Sequence, residues 1–246
     1  MSEIDPASGE PKTGVPLAPE LALLAVAAGC IDVLAFAGLG GVLPSAMTGN
    51  TALLGLAVGR GRLGQAELAL LAFGGFVFGA AVASVARDLV HEHLPEPLAG
   101  VALLLPEALL LIVFAIGWAT AAHPIGGPWR DAMIVIAAIG MGIQGVVARS
   151  EAGPGVSTIV FTSTLTSIVA ALARTVIRKP HRLTPAARRQ IVVLVAYFSG
   201  AVLGGLTFLR GLGALSGLPA AAVLCALGYH LWSHFRAVPG APETSH

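Results

Sequence analysis

The chain has 246 residues, of which 56% are hydrophobic and 11% charged, with a mean hydropathy of +0.85. An ordinary soluble domain carries about 25% charged residues, so one water-exposed fold cannot hide this much apolar surface, and lipid must solvate much of it. The net charge of +1 excludes a strongly basic nucleic-acid binder and an acidic-partner module.

Lipid cannot satisfy exposed backbone groups, so spanning segments must be helices or a closed barrel. The apolar stretches are long runs rather than alternations of about ten residues, so the expected class is all-α, a polytopic transmembrane helix bundle. Residues 1–17 open with MSEIDPASGEPKTGVP, which has no basic region followed by an early apolar core. They predict a disordered cytoplasmic tail rather than a signal peptide. Residues 18–236 predict a single transmembrane domain, and 237–246 a second disordered tail.

Within that domain six segments approach the roughly 20 apolar residues needed to span: about 18–40, 66–88, 98–121, 131–148, 188–209 and 212–234. Two shorter ones, about 45–59 and 158–174, cover only about 22–26 Å at 1.5 Å per residue, against a hydrocarbon core of roughly 30 Å. Each follows helix breakers: Gly40, Gly41 and Pro44 before the first, Gly153, Pro154 and Gly155 before the second. They predict re-entrant half-helices or short tilted spans.

The short segments mark a two-fold internal repeat with halves of about 18–122 and 127–236. Met47-Thr48-Gly49-Asn50-Thr51 in one half matches Phe161-Thr162-Ser163-Thr164-Leu165-Thr166 in the other: a polar head on an apolar helix. A basic loop follows each, then a helix with paired small residues, Gly75 with Gly79 and Gly200 with Gly204. That spacing predicts close helix packing.

The stretches Gly29-Cys30-Ile31-Asp32, Gly40-Gly41-Val42 and Met47-Thr48-Gly49-Asn50-Thr51 resemble the hallmark of the YoaK-like family of bacterial membrane proteins, a family catalogued as a domain of unknown function. The resemblance covers roughly residues 18–234. The family's second-half signature is a helical glutamine-asparagine pair followed by threonine-glycine-threonine. Here Gln144-Gly145 and Thr162-Ser163-Thr164 keep the glutamine and the threonines and replace the asparagine and the glycine. The resemblance implies a bacterial inner-membrane location and about six spans, and names no substrate.

Lys and Arg concentrate in cytoplasmic loops, so the cluster Arg174, Arg178, Lys179, Arg182, Arg188 and Arg189 is expected in the cytoplasm. Six crossings, with the short segments re-entrant, would invert one half relative to the other. Eight would leave the halves parallel. Either puts both termini in the cytoplasm, and the shortness of the two segments favours six.

Two acids lie deep in apolar segments, Asp32 and Glu107. A charge at that depth costs at least about 2.5–3.5 kcal/mol, so each must be paired, neutral or facing water. One reading makes them a proton or cation site. The other makes them helix-contact groups, Glu107 bonding backbone freed by Pro106. Thr48, Gly49, Asn50, Thr51, Thr162, Thr164 and Thr166 head the short helices, whose N-termini favour anions or carbonyl oxygens. They are candidates to hold a small polar or anionic solute, or else N-caps and interhelical bonds. Gln144 is likewise ligand donor or interhelical glue.

Neither Cys30 nor Cys225 suggests a disulfide or metal site, and His91 and His93 around Glu92, expected in a loop, lack helical zinc spacing. The other histidines scatter at loops and ends. No cofactor, phosphate-loop or nucleophile-elbow pattern is present, so an enzyme is not expected. The expected partners are the bilayer and a small solute, not nucleic acid. Self-association through the glycine-rich faces fits the 31 glycines. The leading functional expectation is a small-molecule permease. The alternative is a non-transporting scaffold or sensor whose polar groups are all satisfied internally.

Overall fold

The computed structural model describes residues 18–152, 185–211 and 213–237, with single positions at 165, 166 and 169. The tails lie outside these residues, apart from Ala237 at the end of the last helix, as does nearly all of 158–174. The described residues form seven α-helices: α1 (Ala18–Gly38), α2 (Met47–Gly59), α3 (Leu63–His93), α4 (Glu96–Thr120), α5 (Gly127–Ala152), α6 (Pro185–Leu209) and α7 (Leu218–Ala237). A 3-10 turn, Gly213–Gly217, precedes α7, so the sixth helix-forming run starts later than its hydropathy predicts. All but α2 are long and apolar enough to cross a membrane.

Side-chain contacts between helix ends give their directions. At one end Gly38 of α1 meets Trp118 of α4, Gly117 of α4 meets Met133 of α5, and Trp118 packs edge-on against Phe208 of α6, 6.5 Å between centroids. At the opposite end Glu20 of α1 pairs with His230 of α7 at 3.2 Å, and Leu21, Ala148 and Val193 form one cluster. Thus α1, α4 and α6 run one way and α3, α5 and α7 the other. Strict alternation is what six successive crossings require. α1 and α5 form the centre, each with 61% of its spanning window buried, against 22% for α6. Outward positions such as Phe78, Leu109, Ile116 and Phe198 remain apolar, which suits a lipid-facing surface.

Two parallel helix pairs form the frame, α1 with α6 and α3 with α5. Glycine makes both possible. A Cβ at Gly29 would strike the Tyr197 carbonyl, at Gly200 the Val26 carbonyl and at Gly204 the Cys30 carbonyl. In the other pair, Gly79 lies against the Ile139 carbonyl, Gly142 against that of Phe76, and Gly75 against Val135. In lipid, helices associate chiefly by such close packing. Each pair joins one element from each half of the chain.

Between α1 and α3 the chain dips into the bundle and returns. Gly40 and Gly41, with φ of 96° and 85°, turn it back in a left-handed conformation that a side chain would disfavour. Ser45 has then descended to the level of Asp32, six residues or about 9 Å below the end of α1. From there α2 climbs: Met47 lies beside Phe76 and Gly142, and Val58 beside Leu63 at the start of α3. Its 13 residues reach only about 20 Å. α2 is a re-entrant helix packed on α3, with the end of α1 and the start of α3 on the same side of the bundle.

Candidate functional site

Asp32 anchors the re-entrant segment. Its Oδ1 accepts from the Ser45 backbone N–H at 2.7 Å, and its Oδ2 from the Ser45 hydroxyl at 2.6 Å and the Tyr197 hydroxyl at 2.7 Å. The carboxyl is 1% exposed and ties α1, the descending loop and α6 at one point. Asn50 closes the same segment: its Nδ2 donates to the Leu43 carbonyl at 2.7 Å and its Oδ1 accepts from Leu43 N–H at 2.9 Å. The Thr51 hydroxyl donates to the Met47 carbonyl within α2. No side chain caps α2, where Ala46 holds the cap position, so the expected N-cap role of these residues is replaced by turn closure. Gly49 leaves room for the Leu43 side chain, and Thr48 is exposed.

The remaining candidates sit apart. Gln144 on α5 donates from Nε2 to the Leu24 carbonyl of α1 at 2.6 Å, an interhelical bond, while its Oε1 is buried without a partner. Glu107 lies on α4 with no exposure and neither oxygen hydrogen-bonded. α4 runs on through Pro106, and the bond from Glu107 to freed backbone is not made, which corrects that expectation. Thr166 is exposed, and Thr162 and Thr164 lie outside the described residues. Among the described residues no group of three metal-ligating side chains occurs.

Two histidine expectations change. Residues 91–93 belong to the last turn of α3 rather than a loop, because that helix runs on beyond its apolar stretch. His230 is inside α7, buried against an equally buried Glu20. Glu20 is therefore a third buried acid, masked in the sequence by its place at the polar start of the first span. Ser45 and Tyr197 were also missed, since nothing local links them to Asp32.

Below the start of α2 the frame opens. A cleft of about 610 Å³ runs between α3 and α5, lined by Met47, Phe76, Ala80, Ser84, Arg87, Gly142, Gly145, Val146 and Arg149. Its residues recur at helical spacing on α3 and α5, so each helix gives the cleft one face. Gly142, tight against the Phe76 carbonyl, marks the closed upper end of the cleft, and Gly145 lines it one turn further on. Met47 sits near the middle of α3, and the two arginines near the end of the bundle that carries the start of α6.

These features define a polytopic helical membrane protein with a clasped re-entrant helix and a lateral cleft. The protein-family model "Protein of unknown function (DUF1275)" matches residues 21–229, and the chain belongs to that family. It is similar to the "UPF0700 transmembrane protein YoaK" of Bacillus subtilis (strain 168), at 35% identity over 150 residues, 61% of this chain and 64% of that protein. The alignment thus spans just under two thirds of that relative's length. No solved structure matches.

Proposed function

We propose that the protein is a small-molecule carrier of the bacterial cytoplasmic membrane, with both termini in the cytoplasm and no catalytic role. The observation that supports this is the cleft reaching from the arginine-bearing face to Met47 at the head of the re-entrant helix. Two residues before Met47, Ser45 is held with Tyr197 by Asp32, and in this reading that clasp is the closed end of the path. A half-path open to one face and closed to the other is the arrangement of one access state of an alternating carrier. The two glycine-lined parallel pairs, each joining the two halves, fit an inverted internal repeat whose halves rock against one another. Glu107, buried with no hydrogen-bond partner, is the group best disposed to carry a coupling proton, whereas Asp32 would have to release three donors to bind a cation.

Thiol labelling tests this. With Cys30 and Cys225 replaced by alanine, Met47→Cys and Gly145→Cys should react with a membrane-impermeant reagent from the cytoplasmic face and not from the other. Protection from both faces would sink the carrier. One observation favours a second reading, a scaffold or sensor module: both Asp32 oxygens and both Asn50 amide atoms are already engaged within the protein. That reading predicts the protected outcome.

A further inference from the structure

The cleft is amphipathic along its length. Its upper part is walled by Met47, Phe76, Ala80 and Gly142. Its lower mouth carries Arg87 from α3 and Arg149 from α5, with Ser84 between the two zones donating its hydroxyl to the Ala80 carbonyl. Phe76 and Arg87 are eleven residues apart, about 16 Å along α3. The Nε of Arg87 is buried with no hydrogen-bond partner, and among the described residues neither arginine is in an ion pair. Arg130, by contrast, holds Asp131 at 2.9 Å. Buried donors are nearly always satisfied, so an orphan guanidinium nitrogen beside a second cation calls for a partner. Guanidinium groups match carboxylates and phosphates in shape and charge.

We propose that this cleft binds a single-chain anionic amphiphile, its carboxylate or phosphate between Arg87 and Arg149 and its alkyl chain lying upward toward Met47. The volume falls within the roughly 300–1,000 Å³ typical of sites for one small molecule. The arginines account for the head and the apolar walls for the chain. The inference rests on the carrier reading only for the amphiphile being cargo, and occupancy is measured apart from flux.

The test uses the full chain in nanodiscs of zwitterionic lipid, following thermal unfolding as decanoate or decyl phosphate is added, with decyltrimethylammonium and inorganic phosphate as controls. A ligand that binds the native state raises the unfolding temperature with concentration. Both decyl anions should stabilise the protein and both controls should not. The apparent affinity should rise about fourfold per added methylene until the cleft is full. R87Q/R149Q should lose the effect and R87K/R149K should keep most of it. Gly145→Leu fills the cleft without touching charge and should lose it too, which keeps the test decisive if the glutamine pair folds poorly. Equal stabilisation by the cationic amphiphile, an effect surviving both R87Q/R149Q and Gly145→Leu, or binding of inorganic phosphate as tight as that of decyl phosphate would each overturn the proposal. So would stabilisation by phosphatidylglycerol in the disc with none by the decyl anions, which would mark the arginines as contacts for bilayer lipid. Binding of the decyl anions with no uptake into proteoliposomes would leave the site standing and remove the carrier.

Discussion

Asp32 and Glu107 are two carboxyls in one bundle, on apolar helices, 1% and 0% exposed, and they live in opposite circumstances. Asp32 takes three hydrogen bonds from two other segments, and neither oxygen of Glu107 takes any. Burial alone therefore does not define a buried acid's role. The re-entrant loop makes Asp32 a fastener by bringing Ser45 back down to it. Glu107, on the α4 stripe that also holds Leu104 and Leu111, meets apolar neighbours and is left chemically idle within the fold. Removing the first should damage the structure, and removing the second should damage only whatever uses it.

The largest effect should come from Asp32→Ala, which strands the two buried Ser45 donors and takes an acceptor from the half-buried Tyr197 hydroxyl. Each such donor costs about 1–3 kcal/mol, so a loss of about 3 kcal/mol or more is expected in the free energy of denaturant unfolding in detergent. Stability equal to the native chain would remove the fastener. Next, Gly79→Val drives a side chain into the Ile139 carbonyl and should cost about 1–3 kcal/mol while separating α3 from α5. Cross-linking between cysteines on those helices reads the separation, and unchanged cross-linking and stability would refute the close approach.

Glu107→Leu should go the other way, stabilising by about 1 kcal/mol or more, because an apolar side chain replaces a polar group that has no partner. If Glu107 carries the coupling proton, this variant is the stable, transport-dead one in proteoliposome flux. A destabilised Glu107→Leu would mean the carboxyl holds a structural bond after all. The smallest effect is expected for Tyr197→Phe, about 1 kcal/mol, since Asp32 keeps both Ser45 donors. A loss as large as that of Asp32→Ala would shift the weight of the clasp onto α6.

Much of the architecture was legible in the sequence. Six runs matched to bilayer thickness became six helices, and the stretch from Met47 to Gly59, too short to span, became re-entrant. The pairing of Gly75 with Gly79 and of Gly200 with Gly204 foretold the two close crossings. The site was less legible. Asn50 and Thr51 stood out as polar heads of a helix, which marks them for ligands or for local bonds with equal force, and the structure gives them local bonds. Ser45 lies 13 positions from Asp32 and Tyr197 lies 165, so no window of sequence joins them. Nothing local in the sequence links Arg87 to Arg149, and only the packing of α3 on α5 places them at one mouth.

The sequence by itself determined that this is a membrane-spanning helical bundle and which of its described helices are long and apolar enough to cross. Hydropathy and helix length are sums over contiguous residues, and the bilayer reads them one segment at a time. Tertiary structure alone decided that α1 lies beside α6 and α3 beside α5, that Asp32 is satisfied while Glu107 is not, and that two arginines share a cleft. Lipid leaves no hydrophobic drive between helices, so their pairing depends on which small faces and polar groups fit together across the bundle, and small-residue spacing along the chain marks such a face without naming its partner.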